Sequence, residues 1–512
     1  MPSEDSERED RSYLGHVAHL VRHSALLLAS GVISYVGTFV LFVLLARVLG
    51  KAGFGTYAVA FTMTTTTSIL GLMGADWLLV RQGSYYETMG DRARLRKTIY
   101  LAVGIGGTAL VIAGAVLFTF SSWIAVELFH RPSLAPLLKV VSAVAPIMGL
   151  SQIMLFGTQA FKTMRDFSLI RNVLLPVARL LSTAIAVAWF ATAFSAMVGL
   201  LIAEACILLV ATLALNRRVP LLGSTEAIDF KGSVRFALPT GGTKIAEQTR
   251  FQAFPLLLGS LTHVSASGVY VISQRIAHAP TSVIAAMVQV FRPLGSDLFL
   301  RNRREEFIAL FKSIGKWSFT LAFPLFCLQV AFPRELLAIF GRSFVDASGA
   351  LVLLSIAMLL NYGTGPTAPT LIISGRPRLL LADYAIVIVT ELALAFWLIP
   401  AHGVVGAAIA RTAGGVLLNG LVLFQVWSKL GFHPYRLDYL KPIAAGAAAV
   451  VVSKLVVSLV PPASGLVVAG IAVTLLGITY AAALLGLGLV EEDRAAMGAL
   501  MRGVRARMLA SL

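Results

Sequence analysis

A chain of 512 residues that is 57% hydrophobic and only 13% charged lacks the polar surface of a soluble domain, which carries about twice that charged share. Its net charge of +17 at pH 7 would point to nucleic acid in a soluble protein. At a mean hydropathy of +0.83 it points instead to basic loops beside a membrane, so membrane lipids are the expected partner and nucleic acid is not. The two cysteines, Cys206 and Cys327, lie inside apolar runs without a second Cys or a His at metal spacing. They give no basis for a disulfide framework or a zinc site.

Residues 1–23 are expected to form a cytoplasmic tail, polar and acid-rich up to Asp10, with an amphipathic lead-in from Tyr13 to His23. That flank is wrong for a secretory signal. Fourteen apolar runs follow, at roughly 24–46, 54–80, 98–120, 134–158, 172–192, 194–215, 236–259, 266–290, 312–333, 347–373, 381–400, 403–427, 441–461 and 464–490. Each approaches the length a bilayer core demands. Backbone in hydrocarbon must satisfy its own hydrogen bonds, so the runs are expected to be helices. The expected fold class is an all-α polytopic membrane protein with about 14 transmembrane helices.

Lys and Arg fall in alternate gaps. The tails and even-numbered gaps hold thirty of the forty-two, and the odd-numbered gaps hold only Arg47, Lys51, Arg131, Arg334 and Arg342. Basic loops stay on the cytoplasmic side, which puts both termini there.

Two short patterns recur. Gly55-Thr56-Tyr57 returns as Gly268-Val269-Tyr270, and Val198-Gly199-Leu200-Leu201-Ile202-Ala203 returns as Val405-Gly406-Ala407-Ala408-Ile409-Ala410, at offsets of 213 and 207 residues. The offsets agree and correspond to six runs, so the repeats have parallel topology about an axis along the membrane normal. The expected organisation is a six-helix bundle over 24–215, a cytoplasmic linker over 216–235, a second bundle over 236–427, two additional helices over 441–490, and a cytoplasmic tail over 491–512.

Besides Lys312, Lys316 and Lys441, counted above with the basic gaps at whose edges they stand, seven cations lie within the runs: Lys139, Arg179, Lys244, Arg250, Arg275, Arg411 and Lys454. A charge there costs several kcal/mol unless it is solvated or paired. Lys139, Arg179 and Lys454 are read as snorkelling toward the interface. Lys244, Glu247 and Arg250 follow one another at intervals of three, which places them on one flank of a helix. With Arg275 and Arg411 they are expected to line a cationic cavity that selects anions, since Arg holds phosphate oxygens bidentately. Among the carboxylates within runs are Asp76, Glu204, Glu247 and Glu391. Glu247, then Asp76 and Glu204, are the candidates for coupling to H+ or Na+. Glu204 stands at the repeat position of Arg411, so the two halves differ in charge.

Breaks are expected in the seventh run, at Pro239, Gly241-Gly242 and Pro255, and in the tenth, from Asn361 to Pro369. The threonines Thr62 and Thr64 to Thr67 suit helix packing. No phosphate loop of the Gly-x-x-x-x-Gly-Lys-Ser/Thr kind, no His-Glu-x-x-His and no large outward loop occurs, so neither an enzyme nor a built-in ATPase is expected, and no cofactor.

Further short motifs carry a family resemblance. Leu45-Ala46-Arg47-Val48-Leu49-Gly50 is followed by Gly53-Phe54-Gly55-Thr56-Tyr57. Gly268-Val269-Tyr270 is followed by Gln274-Arg275. Gly375-Arg376 precedes the eleventh run, and Leu398-Ile399-Pro400 leads into Gly403-Val404-Val405-Gly406. In this order and spacing the chain resembles Wzx-type polysaccharide-lipid flippases of the multidrug/oligosaccharidyl-lipid/polysaccharide exporter superfamily. The resemblance implies two six-helix bundles facing each other as a V, alternating access, and a lipid-linked oligosaccharide carried headgroup-first, with ion gradients as the energy source. Arg47, Arg250 and Arg275 match motif positions as substrate-binding residues. It also implies glycan polymerases or glycosyltransferases as partners. The alternatives are a multidrug or organic-cation antiporter of the same fold, which a cationic cavity disfavours, and a peptidoglycan-precursor flippase.

Overall fold

The structure is a computed structural model of the chain. It describes residues 4–161, 164–435, 437–459 and 465–487. The expected tail 491–512 and the ends of the last two expected runs lie outside the described residues. Among the described residues every regular element is helical. The longer helices are α1 (Glu4–Leu72), α2 (Arg92–Thr119), α3 (Ala135–Gln159), α4 (Leu175–Trp189), α5 (Ala193–Arg218), α6 (Phe230–Leu261), α7 (Val264–Ala277), α8 (Thr281–Leu300), α9 (Arg304–Ala331), α10 (Ser348–Gly363), α11 (Pro377–Leu430), α12 (Leu440–Leu459) and α13 (Gly465–Gly486).

Ten helical stretches among the described residues are long and apolar enough to cross a bilayer, so this is a multi-pass membrane protein. The expected runs 236–259 and 266–290 are not among the ten. α6 carries Lys244, Glu247 and Arg250, and the second of these runs is divided between α7, of 14 residues, and α8. The division falls at His278–Pro280, where the sequence reading had one continuous run. At the N-terminus the expected tail is helical from Glu4 onward and continuous with α1. No proline or glycine interrupts residues 4–14.

α1 and α11 are hairpins. A straight helix rises 1.5 Å per residue, which would put Phe42 and Phe61 about 28 Å apart; their ring centroids lie 6.0 Å apart. Likewise Arg411 Nη1 reaches Glu391 Oε1 at 2.8 Å across twenty residues. The turns are made at Gly50, with φ 66°, and Gly403, with φ 54°, a backbone region that glycine enters without steric penalty.

The expected break in the seventh run is corrected: α6 runs as one helix from Phe230 to Leu261. Pro255 has no N–H for the carbonyl of Phe251 four residues back. Gln274 Nε2 donates to that carbonyl instead, at 3.4 Å. In the tenth run the break is present. α10 ends at Gly363, Gly365 takes φ 69°, and Pro366 precedes a short helix, Thr367–Ile373. One further break was not expected. Met73 (φ 48°) and Gly74 (φ 80°) end α1, and a separate turn, Ala75–Leu78, follows.

α3 packs on α2 and α5, and α4 on α5; α9 packs on α8 and α10, and α10 on α11. α1 bridges the two groups through α6, α7 and α8. Close approaches join the groups at both ends. Near the basic loops, a Cβ on Gly241 would stand 2.7 Å from the backbone of Gly74. At the opposite end, a Cβ on Gly268 would stand 2.7 Å from Cα of Gly55. The two Gly-x-Tyr segments therefore face each other, as residues beside a two-fold axis must.

Candidate functional site

α6 presents three ionisable side chains with three different fates. Lys244 reaches Asp76, forming a salt bridge between the two groups of helices, and its ammonium lies 5.3 Å from the Phe156 ring. Asp76 is placed by the Met73–Gly74 break. A Cβ on Gly74 would lie 2.1 Å from the carbonyl oxygen of Ala237, so the left-handed residue there also has to be small. Asp76 is fully buried, and its Oδ1 has no hydrogen-bond partner among the described residues. Glu247 is exposed and makes no ion pair among the described residues.

Arg250 turns toward α11. Its Nη2 donates to Glu391 Oε1 at 2.7 Å and its Nε to Oε2 at 3.0 Å. Arg411 Nη1 donates to the same Oε1 at 2.8 Å. Glu391 is 2% exposed, Arg250 7% and Arg411 9%. The carboxylate fits because residue 414 is glycine: a Cβ there would meet Oε1 at 2.2 Å. The guanidinium of Arg250 lies 5.7 Å from the ring of Tyr384. Tyr384 also lines a cavity of about 140 Å³ together with Asn361, Thr364 and Asn419.

Arg275, on α7, meets aromatic rings rather than acids. Its guanidinium lies 5.2 Å from the centroid of Phe42 and 5.7 Å from that of Tyr35, both on α1. Tyr35 also donates its hydroxyl to the Arg275 carbonyl at 2.7 Å. The Nε of Arg275 is buried without a hydrogen-bond partner among the described residues. A buried charged donor left unpaired costs more than a neutral one.

The first group of helices holds a buried pair of its own. Arg179 Nε donates to Glu204 Oε1 at 2.7 Å, and Ser151 Oγ stands 3.5 Å from Oε2. Arg179 therefore does not snorkel; α4 and α5 are antiparallel neighbours whose short link brings the two charges together. Tyr57 and Tyr270, at equivalent repeat positions, are both fully buried, and neither hydroxyl has a partner among the described residues. Tyr57 lies within electrostatic reach of Arg179, Glu204 and Arg275, and Tyr270 within reach of Arg411 and Glu391.

Arg47 stands apart from these groups. It is exposed at the end opposite the basic loops, and its Nε donates to the carbonyl of Ile339 at 2.8 Å. It ties the turn of α1 to the other group of helices and does not belong to the buried cluster. Lys139 and Lys454 are exposed. Thr62, Thr64, Thr65 and Thr66 return their hydroxyls to their own helix.

Among these side chains, the five cations Arg179, Lys244, Arg250, Arg275 and Arg411 stand against the four carboxylates Asp76, Glu204, Glu247 and Glu391; Asp383, also buried on α11, accepts a hydrogen bond from Gln425. Glu391 was the residue not singled out in advance. Its only sequence signal was a carboxylate inside an apolar run. No group of three or more metal-ligating side chains occurs among the described residues.

The family described as "polysaccharide biosynthesis protein" matches residues 20–299, over half of the chain. The chain belongs to that family. It is 26% identical over 337 residues to the succinoglycan biosynthesis transport protein ExoT of Rhizobium meliloti (strain 1021), an alignment that spans 64% of each protein. The fold is shared with the lipid II flippase MurJ in an inward closed conformation, at TM-score 0.70 and 14% identity over 90% of this chain and 99% of that one. It is also shared with a variant of the Vibrio cholerae MATE transporter VcmN, at TM-score 0.61 and 13% identity over 82% and 99%. The resemblance drawn from the short motifs is thus upheld for the family and the fold.

Proposed function

We propose that this chain is a flippase that moves a polyprenyl-(pyro)phosphate-linked oligosaccharide from the cytoplasmic to the outer leaflet of the inner membrane, for a surface polysaccharide. In this reading both termini are cytoplasmic. Two six-helix lobes, 24–215 and 236–427, rock against each other while the lipid tail stays in the bilayer. Family membership supports the reading, and so does a relative named for transport in succinoglycan biosynthesis.

The observation that carries it is Arg275. A guanidinium beside two aromatic rings at the junction of the two lobes, with no acid pairing it and a buried Nε without a partner among the described residues, suits an anionic headgroup. A phosphate would provide the missing acceptor in charge-assisted hydrogen bonds. Arg250 and Arg411 add positive charge beyond what Glu391 neutralises. Lys244 and Asp76 tie the lobes together at the basic-loop end, and their separation opens that end. Ion coupling is assigned to Glu247, because Asp76 and Glu204 are already engaged by Lys244 and Arg179.

An organic-cation antiporter is disfavoured because its site needs net negative charge, and at Glu391 two guanidinium groups meet one carboxylate. A peptidoglycan precursor would present the same anionic headgroup chemistry; the family favours a polysaccharide precursor instead.

The test replaces Arg275 by Ala and by Lys, and Arg250 by Ala, in the native host. Surface glycan and accumulated lipid-linked precursor are then measured at matched protein levels. The Ala variants are expected to lose surface glycan and accumulate precursor, with Arg275→Lys retaining part of the export. Unchanged export by both Ala variants defeats the assignment.

A further inference from the structure

Arg250 and Arg411 share one carboxylate as their ion-pair partner; Glu247, within electrostatic reach of the same Tyr384, pairs with neither among the described residues. Arg250 grips Glu391 through two parallel bonds at 2.7 and 3.0 Å, the same fork that a guanidinium offers to phosphate. Arg411 adds a third bond to Oε1 at 2.8 Å. All three groups are buried. An uncompensated charge in such a place costs several kcal/mol unless a further anion arrives. Left alone, the two guanidinium groups would repel each other; the carboxylate holds both within hydrogen-bonding distance of a single point.

We propose that Glu391 is a resident stand-in for the substrate's diphosphate. In the empty protein it keeps Arg250 and Arg411 in binding geometry, and the incoming diphosphate displaces it. The inference rests on the flippase reading above and adds to it a residue that sets affinity from within the site. Binding then exchanges one set of charge-assisted bonds for another, so the net affinity is a difference rather than a sum. A transporter must also let go. Two bare guanidinium groups would hold a diphosphate too long, and the return of Glu391 to its arginines expels it. Glu391 acts through the two arginines and is in that sense a positioning residue. Gly414 leaves the space for the carboxylate in its resting place, and Tyr384, whose ring lies 5.7 Å from the Arg250 guanidinium, also lines a cavity.

The test uses the full-length protein in detergent, with farnesyl diphosphate as the charged probe and farnesol as its uncharged counterpart, titrated calorimetrically. Glu391→Gln is expected to bind farnesyl diphosphate roughly tenfold more tightly, the equivalent of one competing charge-assisted bond removed, with farnesol binding unmoved. In liposomes the same variant is expected to show a lower KM together with a lower kcat. A residue that only braces the fold would give neither the split nor the selectivity for charge. Unchanged or weaker diphosphate binding by Glu391→Gln overturns the proposal.

Should that variant fail to accumulate, Glu391→Asp keeps the charge but shortens the reach. It is expected to tighten diphosphate binding several-fold, and unchanged or weaker binding overturns the proposal equally. Arg250→Ala and Arg275→Ala are titrated alongside. Wild-type binding by both defeats the flippase reading itself. Loss of binding in them, without tightening in Glu391→Gln, defeats only the stand-in role.

Discussion

In the first half of the chain one guanidinium meets one carboxylate; in the second half two guanidinium groups meet one. Arg179 and Glu204 form a closed pair with Ser151 beside it. Arg250 and Arg411 converge on Glu391. The polarity is also reversed. The cation precedes the turn of the hairpin in the first half and follows it in the second, with Glu204 and Arg411 at matching repeat positions. A matched buried pair adds little net stability but is costly to break, whereas an unmatched one is chemically unfinished. One repeat thus matches its buried guanidinium with a carboxylate, and the other sets two buried guanidinium groups against one.

The sharpest way to break this comparison is a charge swap. Arg179→Ala or Glu204→Ala alone is expected to lower stability by about 3–5 kcal/mol. The double variant Arg179→Glu with Glu204→Arg, which gives the first half the polarity of the second, is expected to recover most of that loss. The corresponding swap in the second half, Glu391→Arg with Arg411→Glu, brings a new cation beside Arg250 and is expected not to recover. Thermal melting in detergent and protein level in membranes check both. Recovery in both halves would mean that the second half is as closed as the first.

A smaller effect is expected from Gly414→Ala. The added methyl would meet the Glu391 carboxylate at 2.2 Å and cost about 1–3 kcal/mol through displaced packing. Gly420→Ala on the same helix meets nothing within 4 Å and should be neutral or stabilising by up to about 1 kcal/mol. The difference between the two melting temperatures measures how tightly the carboxylate is seated.

The smallest effect is expected at the surface. Lys51 and Asp346 stand 3.6 Å apart at the end opposite the basic loops, with Asp346 84% exposed. Lys51→Ala is expected to change stability by less than about 1 kcal/mol, and the same melting assay at low and high salt checks it.

The helices were legible in the sequence because apolar run length is a local property. The flank of Lys244, Glu247 and Arg250 was legible because helical spacing is local too. Their partners were not. Asp76 is 168 residues from Lys244, and Glu391 is 141 residues from Arg250; nothing in either neighbourhood names the other. Arg179 looked free to snorkel because Glu204 belongs to the next helix. The carbonyl that Pro255 leaves free in α6 is met by Gln274, a residue of another helix. Local pattern thus located the charges, and tertiary packing decided which of them are neutralised.

The contact between Gly55 and Gly268 has a consequence for how the two repeats can diverge. Each glycine is the wall against which the other packs, and neither leaves room for a methyl group. A change in one copy of the segment is therefore felt at once by its twin. Most of the two repeats is free to drift apart, as the inverted ion pairs illustrate, but at this point of mutual contact the copies must change together or stay as they are.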